Sequence, residues 1–460
     1  MPADCTLKGF EFEAVSGRRV VADFAGGEVT SDAGALLLGQ CWKALSLPKR
    51  LAACFRDARD RELIEHDVET LLRQRVMGLA MGYEDLNDHD HLRHDPVLGL
   101  LAEKLAASRG ACAAVAGKST LNRLELSGPE ATRYHKISHD GAAIERLFVD
   151  LFLESRQEAP KEIILDFDAT DNPLHGEQEG RFFHGYYNCY CYMPLYVFCG
   201  HELLAARLRK ADIDGSAGAK EEAERIVTQI RQRWPRTRII LRGDSGFARE
   251  ELMAWCESHG VDYLFGLARN SRLEGEIAAE LAEAQAQSAA TGRAARRFRD
   301  FMWTTRKSWS RERRVVGKAE WLGDKANPRF VVTTLVSGRA DARTLYEDLY
   351  CARGDMENRI KEAQGDLFGG RSSTRAMRSN QLRLWFSALA YVLLSALRRI
   401  ALAGTALAVA SCMSLRLKLL KIGATVTRST RRIKLAMASG HPFQEVFAIA
   451  HARLAAAARI

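Results

Sequence analysis

The spacing of hydrophobic positions changes twice along the chain. After an alternating start, "FEFEAVSGRRVVADFAGG", residues up to about 155 carry helical periodicity, as in "ELIEHDVETLLRQRVMGLAMG". In "AIERLFVDLFLES" the residues Ile144, Leu147, Phe148, Leu151 and Phe152 fall on one helical side. Thr30-Ser31-Asp32 is expected to cap the helix "AGALLLGQCWKAL". From 161 the texture turns strand-like. "KEIILDFD", "MPLYVFCG" and "ELLAARLR" read as strands, and "SAGAKEEAERIVTQIRQRW" as a helix. "RTRIILRGD" is a strand, "AREELMAWCESHG" a helix and "VDYLFGLA" a strand. The order βββαβαβ predicts an α/β fold with a mixed sheet covered by helices. Residues 270–336 then show a short helix, basic strand-like segments with Trp303, Trp309 and Trp321, and the strand "RFVVTTLV". A long helix, "ADARTLYEDLYCARGDMENRIKEAQGDL", follows, and the remainder is mostly helical apart from the alternating basic stretch "ATVTRSTRRIKLA".

At 460 residues, 47% hydrophobic and 27% charged, the chain has the make-up of a soluble globular protein with more than one domain. The pattern divides it into five parts. These are a mostly helical, DNA-binding or accessory region (1–158), the first part of a core (159–269), a β-rich basic insertion (270–338), a core helix (339–368) and a basic helical region (369–460). Among ten cysteines no pair is spaced Cys-x-x-Cys, which excludes zinc-finger spacing and argues for reduced thiols in a cytoplasm. The N-terminus lacks an apolar signal core. The longest apolar stretch, Leu384 to Leu397, is shorter than the about 20 residues a bilayer crossing takes. A cytoplasmic protein with no membrane partner is expected.

The net charge of +9 is unevenly placed. Residues 367–444 hold thirteen Lys/Arg, Arg428, Arg431 and Arg432 among them, and no Asp or Glu. The rest of the chain has 54 basic against 58 acidic side chains. A local field of this kind suits a DNA backbone, where contacts position a protein without reading sequence. Residues 293–318 form a second patch, with ten Lys/Arg around Trp303 and Trp309. Aromatics among cations can stack an unpaired base.

Two strands end in acid. "IILDF" runs into Asp166, Asp168 and Asp171, and "IILRG" into Asp244-Ser245-Gly246. Ligands of α/β sheets gather beyond strand carboxyl ends, and paired carboxylates there ask for a hard cation such as Mg²⁺ or Mn²⁺. The long helix offers a third acid. Tyr350, Arg353, Glu357, Lys361 and Gln364 share one face, although a solvated salt pair is the ordinary reading of Arg353 and Glu357 taken alone. Asp166 and Asp168 share a strand face, so geometry does not choose between them.

With these pieces the chain resembles a bacterial insertion-sequence DDE transposase, more narrowly insertion-sequence family 1380. "LDFDATD", "GRFFHGYY", "LRGDSGF" and "GYEDLNDHDHLRHDP" carry the resemblance, together with Tyr350, Arg353 and Glu357 as a Tyr-x2-Arg-x3-Glu signature. The Lys that follows seven residues later in that class is Gln364 here, and Lys361 is the nearest substitute. The resemblance implies an RNase H-like core with a β-rich insertion before the catalytic Glu helix. It implies Asp168, Asp244 and Glu357 as ligands of two Mg²⁺ or Mn²⁺ ions, and two-metal phosphoryl transfer on DNA. Asp168 is preferred because Asp168-Ala169-Thr170 matches the class's Asp-x-Thr; Asp166 is the alternative first acid. Arg353 is expected to contact phosphate or to orient Glu357, and Tyr350 to bond a phosphate or simply to pack. In related transposases an insertion-domain Trp can stack an unpaired base; Trp303 is the candidate here, although core packing is the commoner fate of a single Trp. The substrates implied are double-stranded terminal inverted repeats and target DNA, with a homodimer forming on DNA. A nuclease without strand transfer and a non-catalytic DNA-binding protein are the competing readings.

Two motifs are set aside. "AGKST" lacks the first glycine of a phosphate-binding loop, so no nucleotide cofactor is expected, and Thr120 is read as a cap for "LNRLELS". His89, His91 and His94 fit no closed zinc spacing and are read as part of a polar loop with local helix caps.

Overall fold

The computed structural model describes residues 9–110 and 112–457. They form two compact units, one of the described residues up to 138 together with 393–457 and one of residues 139–392.

The second unit is built on a large mixed sheet. Strands β1 (Glu162–Ala169), β2 (Leu195–Cys199) and β3 (Glu202–Arg207) are followed by helix α1 (Ala219–Arg233), β4 (Arg238–Gly243), α2 (Glu250–Ser258) and β5 (Asp262–Leu267). This is the order expected from the hydrophobic pattern. In space the strands run β3-β2-β1-β4-β5, with β1, β4 and β5 parallel and the first hairpin antiparallel. Helix α3 (Ala278–Thr291) leads into β6 (Ala295–Trp303), β7 (Arg313–Leu322) and β8 (Arg329–Thr333). These strands do not stand apart. β8 pairs antiparallel with β5, and β7 and β6 follow, so the insertion extends the same sheet.

Both faces of β1 are covered, which explains its near-continuous apolar run. Ile163, Leu165 and Phe167 pack with Phe152, Ile226, Ile239, Met253 and neighbours in one core. Each such side chain contributes roughly 1.5–3 kcal/mol on burial. The opposite face carries Ile164, Asp166 and Asp168. Ile164 belongs to a smaller core with Ile240, Leu264, Leu345 and Tyr346. The acids therefore point to the side covered by the helical segment of residues 342–366.

That segment is not one regular helix. A short α-turn, Ala342–Thr344, passes into a wide π-turn at Leu345–Tyr350 and a tight 3₁₀ turn at Cys351–Arg353. Helix α4 (Gly354–Lys361) follows and ends in a second π-turn, Glu362–Asp366. A buried helix, α5 (Met377–Leu397), continues through a π-turn to Leu402. By length and composition this stretch is apolar enough to cross a membrane, but its apolar window is 89% buried inside the protein. The shorter apolar run read from sequence is its middle.

The first unit is mostly helical after an exposed ribbon, Phe10–Val15 paired with Arg18–Ala22. Helix Val68–Met81 is capped by Asp67, which accepts from the Thr70 N–H at 2.7 Å, and stops at Gly82 (φ 96°). Arg75 and Glu125 form a fully buried pair at 2.6 Å. Two expected caps are corrected. Asp32 makes no cap hydrogen bond, because its carboxylate accepts from the Tyr83 hydroxyl and pairs with Lys421, both at 2.7 Å. Thr120 lies inside helix Lys118–Glu125, whose N-cap is Gly117. Asp85 and Asp95 do cap their turns, but His89 is buried against Gln74 (3.0 Å), and burial pushes its pKa down to about 3. The alternating basic stretch forms a hairpin, Ala424–Arg428 with Ile433–Met437.

Candidate active site

Asp168 and Asp244 lie at the carboxyl ends of adjacent parallel strands. Asp168 is the next-to-last residue of β1, and Asp244 follows Gly243, the last residue of β4. Asp244 Oδ1 accepts from the Gly246 N–H at 2.8 Å, which folds the chain into the tight turn Ser245–Phe247. The Asp168 side chain is only 14% exposed. Its Oδ1 accepts from the Ala169 N–H at 3.1 Å, and Arg353 Nη1 is 3.8 Å from Oδ2. Burial raises the Asp168 pKa to about 7; Arg353 opposes the rise, and the charges of Asp244 and Glu357 add to it. Asp168, Asp244 and Glu357 thus share one field.

Glu357 projects from α4, and its Oε1 accepts from Arg353 Nη2 at 3.0 Å. Arg353 bridges the acids. Burial works against its charge, but Asp168, Tyr350, Glu357 and Asp244 together hold its pKa above the ordinary value. Tyr350 packs on Tyr346 with ring centroids 5.5 Å apart. A Cβ placed on Gly266 of β5 would lie 2.5 Å from Tyr350 Oη and 2.9 Å from the Ser245 nitrogen. Only glycine leaves room there for the Asp244 turn and the tyrosine together. A cavity of about 290 Å³ opens beside Asp244, lined by Gly266, Arg269, Arg329, Tyr346 and Tyr350.

The aspartate two residues upstream has a different partner. Asp166 is 5% exposed, and its oxygens accept from Arg242 Nε and Nη2 at 2.5 and 2.8 Å. Gln364, where the class signature has lysine, donates to the Asp171 carbonyl at 3.0 Å and so ties the loop after β1 to the helical segment. Lys361 is exposed at the end of α4. The aromatic segment "RFFHGYYNCYCY" forms a hairpin, Phe182–His184 with Cys189–Tyr192, in which Phe182, Phe183, Tyr186 and Tyr190 are exposed. Tyr187 lies in it, and burial, then Asp171 and Asp168, pushes its phenol up to about 12. Sequence reasoning did not single out Tyr187, Gly266 or Arg242. The Arg-Gly-Asp spacing at 242–244, matching Asp166 and Asp168 two apart, was the available signal.

Trp303 ends β6 at 6% exposure, covered by Trp309 (5.2 Å, edge to face) and by the Arg272 guanidinium at 5.2 Å. A base reaches its ring only if those groups move. In the other unit, Arg428 pairs with Glu28 at 2.5 Å, and Arg431 and Arg432 are exposed between the hairpin strands. Arg416, counted in the basic stretch, is buried and donates to the Ala80 carbonyl at 3.0 Å, so it adds nothing to the outer field.

The sequence model of a transposase DDE domain, group 1, matches residues 12–459. The chain belongs to that family. No curated protein matches it. It is therefore a transposase, an enzyme of the nuclease/transferase kind that acts on DNA, and the acids at the strand ends belong to a DDE domain. Members of this class generally use divalent metal ions. The donor chemistry here fits such an ion, since a carboxyl whose pKa burial raises to about 7, with Asp244 and Glu357 adding to the rise, favours added positive charge. In the present arrangement Arg353 supplies that charge. Among the described residues no three His, Cys, Asp or Glu side chains are gathered closely enough to hold a metal.

Proposed function

We propose that this transposase cleaves the ends of an insertion sequence and joins them to target DNA, using an RNase H-like core. The supporting observation is Arg353 set between Asp168 (3.8 Å) and Glu357 (3.0 Å), with Asp244 at the neighbouring strand end adding to the rise of the Asp168 pKa to about 7. The core reading rests on the strand order β3-β2-β1-β4-β5 followed by an acid-bearing helix.

Asp168, Asp244 and Glu357 would hold a pair of Mg²⁺ or Mn²⁺ ions. Metal ions held by these residues would supply a lowered pKa for an attacking water or 3′-hydroxyl and positive charge for the leaving oxygen. Arg353 now donates to Glu357; with that carboxylate turned to a metal, the guanidinium would be available to bind two oxygens of a phosphate through parallel hydrogen bonds. Tyr350 and the cavity beside Asp244, with Arg269 and Arg329, face the same strand ends and give the DNA backbone neutral and cationic donors. Asp166 is assigned to Arg242 and not to the metal. Lys361, Arg428, Arg431 and Arg432 are assigned to phosphate contacts. A dimer assembles on paired ends.

The test is a joining assay with pre-cleaved terminal-repeat DNA and a supercoiled target in Mg²⁺. Covalent attachment of the 3′ end to target is the expected product. Hydrolysis without joining would favour a nuclease, and salt-sensitive binding with no cleavage would favour a DNA-binding protein.

A further inference from the structure

Asp166 and Arg242 face each other across the parallel pair β1–β4. Both are more than nine-tenths buried. Arg242 uses its fork fully on one side: Nε and Nη2 donate to the two Asp166 oxygens. Its remaining nitrogen, Nη1, donates to the Leu349 carbonyl.

Leu349 sits where the helical segment changes pitch. The π-turn Leu345–Tyr350 gives way at once to the 3₁₀ turn Cys351–Arg353, and the Gly354 N–H returns to the Cys351 and Ala352 carbonyls. Across such a change the regular i→i−4 ladder is interrupted, and a carbonyl is left for another donor. Buried carbonyls without donors are rare, so whatever supplies the donor also holds the turn. Here that donor is an arginine whose orientation is already fixed by a carboxylate on the neighbouring strand.

Beyond the turn lies the candidate catalytic face. Arg353 comes four residues after Leu349, and Glu357 four after that. If the π-turn relaxed to a regular α-turn, the helix beyond it would slip by one residue, about 100° of rotation, and Arg353 and Glu357 would turn together relative to Leu345 and the sheet beneath it. The strands show a matching economy. Asp166 precedes Asp168 by two positions and Arg242 precedes Asp244 by two, so the clamp lies on the same sheet face as the acids.

We propose that Arg242, locked by Asp166, is a positioning residue: it pins the π-turn and thereby sets the angle at which Arg353 and Glu357 meet Asp168 and Asp244. The proposal rests on the reading of these acids as the catalytic set. Lysine would not replace it, because one ammonium group lacks the planar fork needed to serve the Asp166 carboxylate and the Leu349 carbonyl together.

Three full-length variants test it: Arg242→Lys, Arg242→Met, and the double change Asp166→Leu with Arg242→Met. The double change leaves no lone buried charge, so it is the one expected to keep the fold. Thermal unfolding, terminal-repeat DNA binding, amide hydrogen exchange over residues 345–361 and single-turnover cleavage are measured together. The double variant should melt near wild type and bind DNA as wild type does. Exchange should quicken within 345–361 and nowhere else, and cleavage should slow by on the order of 10²-fold with unchanged dependence on DNA concentration. Wild-type protection of 345–361 in the double variant would overturn the proposal, as would wild-type cleavage. If wild type itself does not cleave, the reading of the acids fails, and the exchange measurement alone decides the clamp. If the double variant does not fold, Arg242→Lys decides by the same exchange measurement.

Discussion

Replacing Asp168 by asparagine is expected to stabilise the metal-free protein while abolishing its chemistry. The Asp168 pKa rises from the ordinary 3.8 to about 7 through burial, with Asp244 and Glu357 adding to the rise against Arg353. The sign depends on which state binds the proton. Below about pH 4 the carboxyl is protonated in both folded and unfolded chains, and the substitution changes little. Between pH 4 and 7 the unfolded chain ionises and the folded one does not, so stability falls as pH rises. Above pH 7 the whole cost remains. About three pKa units correspond to at most about 4 kcal/mol, and water reaching the carboxyl reduces this to roughly 2 kcal/mol. For a unit of this size that is a gain of roughly 4–8 °C in melting temperature. The assay is thermal unfolding in chelator at pH 5.0, 6.5 and 8.5. The gap between Asp168→Asn and wild type should widen with pH, and saturating Mg²⁺ should stabilise wild type but not the variant. A gap independent of pH, or a less stable variant at pH 8.5 in chelator, would show that the Asp168 carboxylate carries no such cost.

Other outcomes rest on the same geometry. Gly266→Ala should displace Tyr350 or the Asp244 turn and slow cleavage by roughly 10–100-fold, with DNA affinity preserved; an unchanged single-turnover rate would contradict the packing argument. Changing Arg431 and Arg432 to glutamine should lower the salt dependence of DNA binding by about 0.9 in log–log slope per lost phosphate contact, equally for specific and random DNA. A loss confined to terminal-repeat DNA would mean that these residues read bases. Trp303→Ala should cost about 3–5 kcal/mol of stability, because the ring is packed under Trp309 and Arg272. An unchanged melting temperature with weakened DNA-end binding would instead place the ring outside the core.

Strands β1, β4 and β5, the two acids that end β1 and β4, and the helix bearing Glu357 were all legible in the sequence. Buried parallel strands write themselves as unbroken apolar runs, so an aspartate at the end of one stands out. The destination of β6, β7 and β8 was not legible, because nothing local in "RFVVTTLV" says that it pairs with "VDYLFGLA" some 65 residues earlier. The pitch changes between Leu345 and Arg353 were equally hidden, since helical periodicity runs through them and the arginine that donates to the Leu349 carbonyl lies on another strand. Likewise Asp32 had every local feature of a cap, but Tyr83 and Lys421 take its carboxylate. The choice between Asp166 and Asp168 belongs here too. Their strand positions are equivalent, and what distinguishes them is the partner across the sheet, Arg242 for one and the shared field of Asp244, Glu357 and Arg353 for the other.

The assignment of Asp168, Asp244 and Glu357 as the catalytic set is tested by comparing wild type with Asp168→Asn, Asp244→Asn, Glu357→Gln and Asp166→Asn on terminal-repeat DNA, scoring binding and Mg²⁺-dependent cleavage in the same samples. The first three should bind DNA like wild type and cleave none of it, and Asp166→Asn should retain measurable cleavage at a reduced rate. Full activity in Glu357→Gln, or cleavage by Asp168→Asn with none by Asp166→Asn, would contradict it.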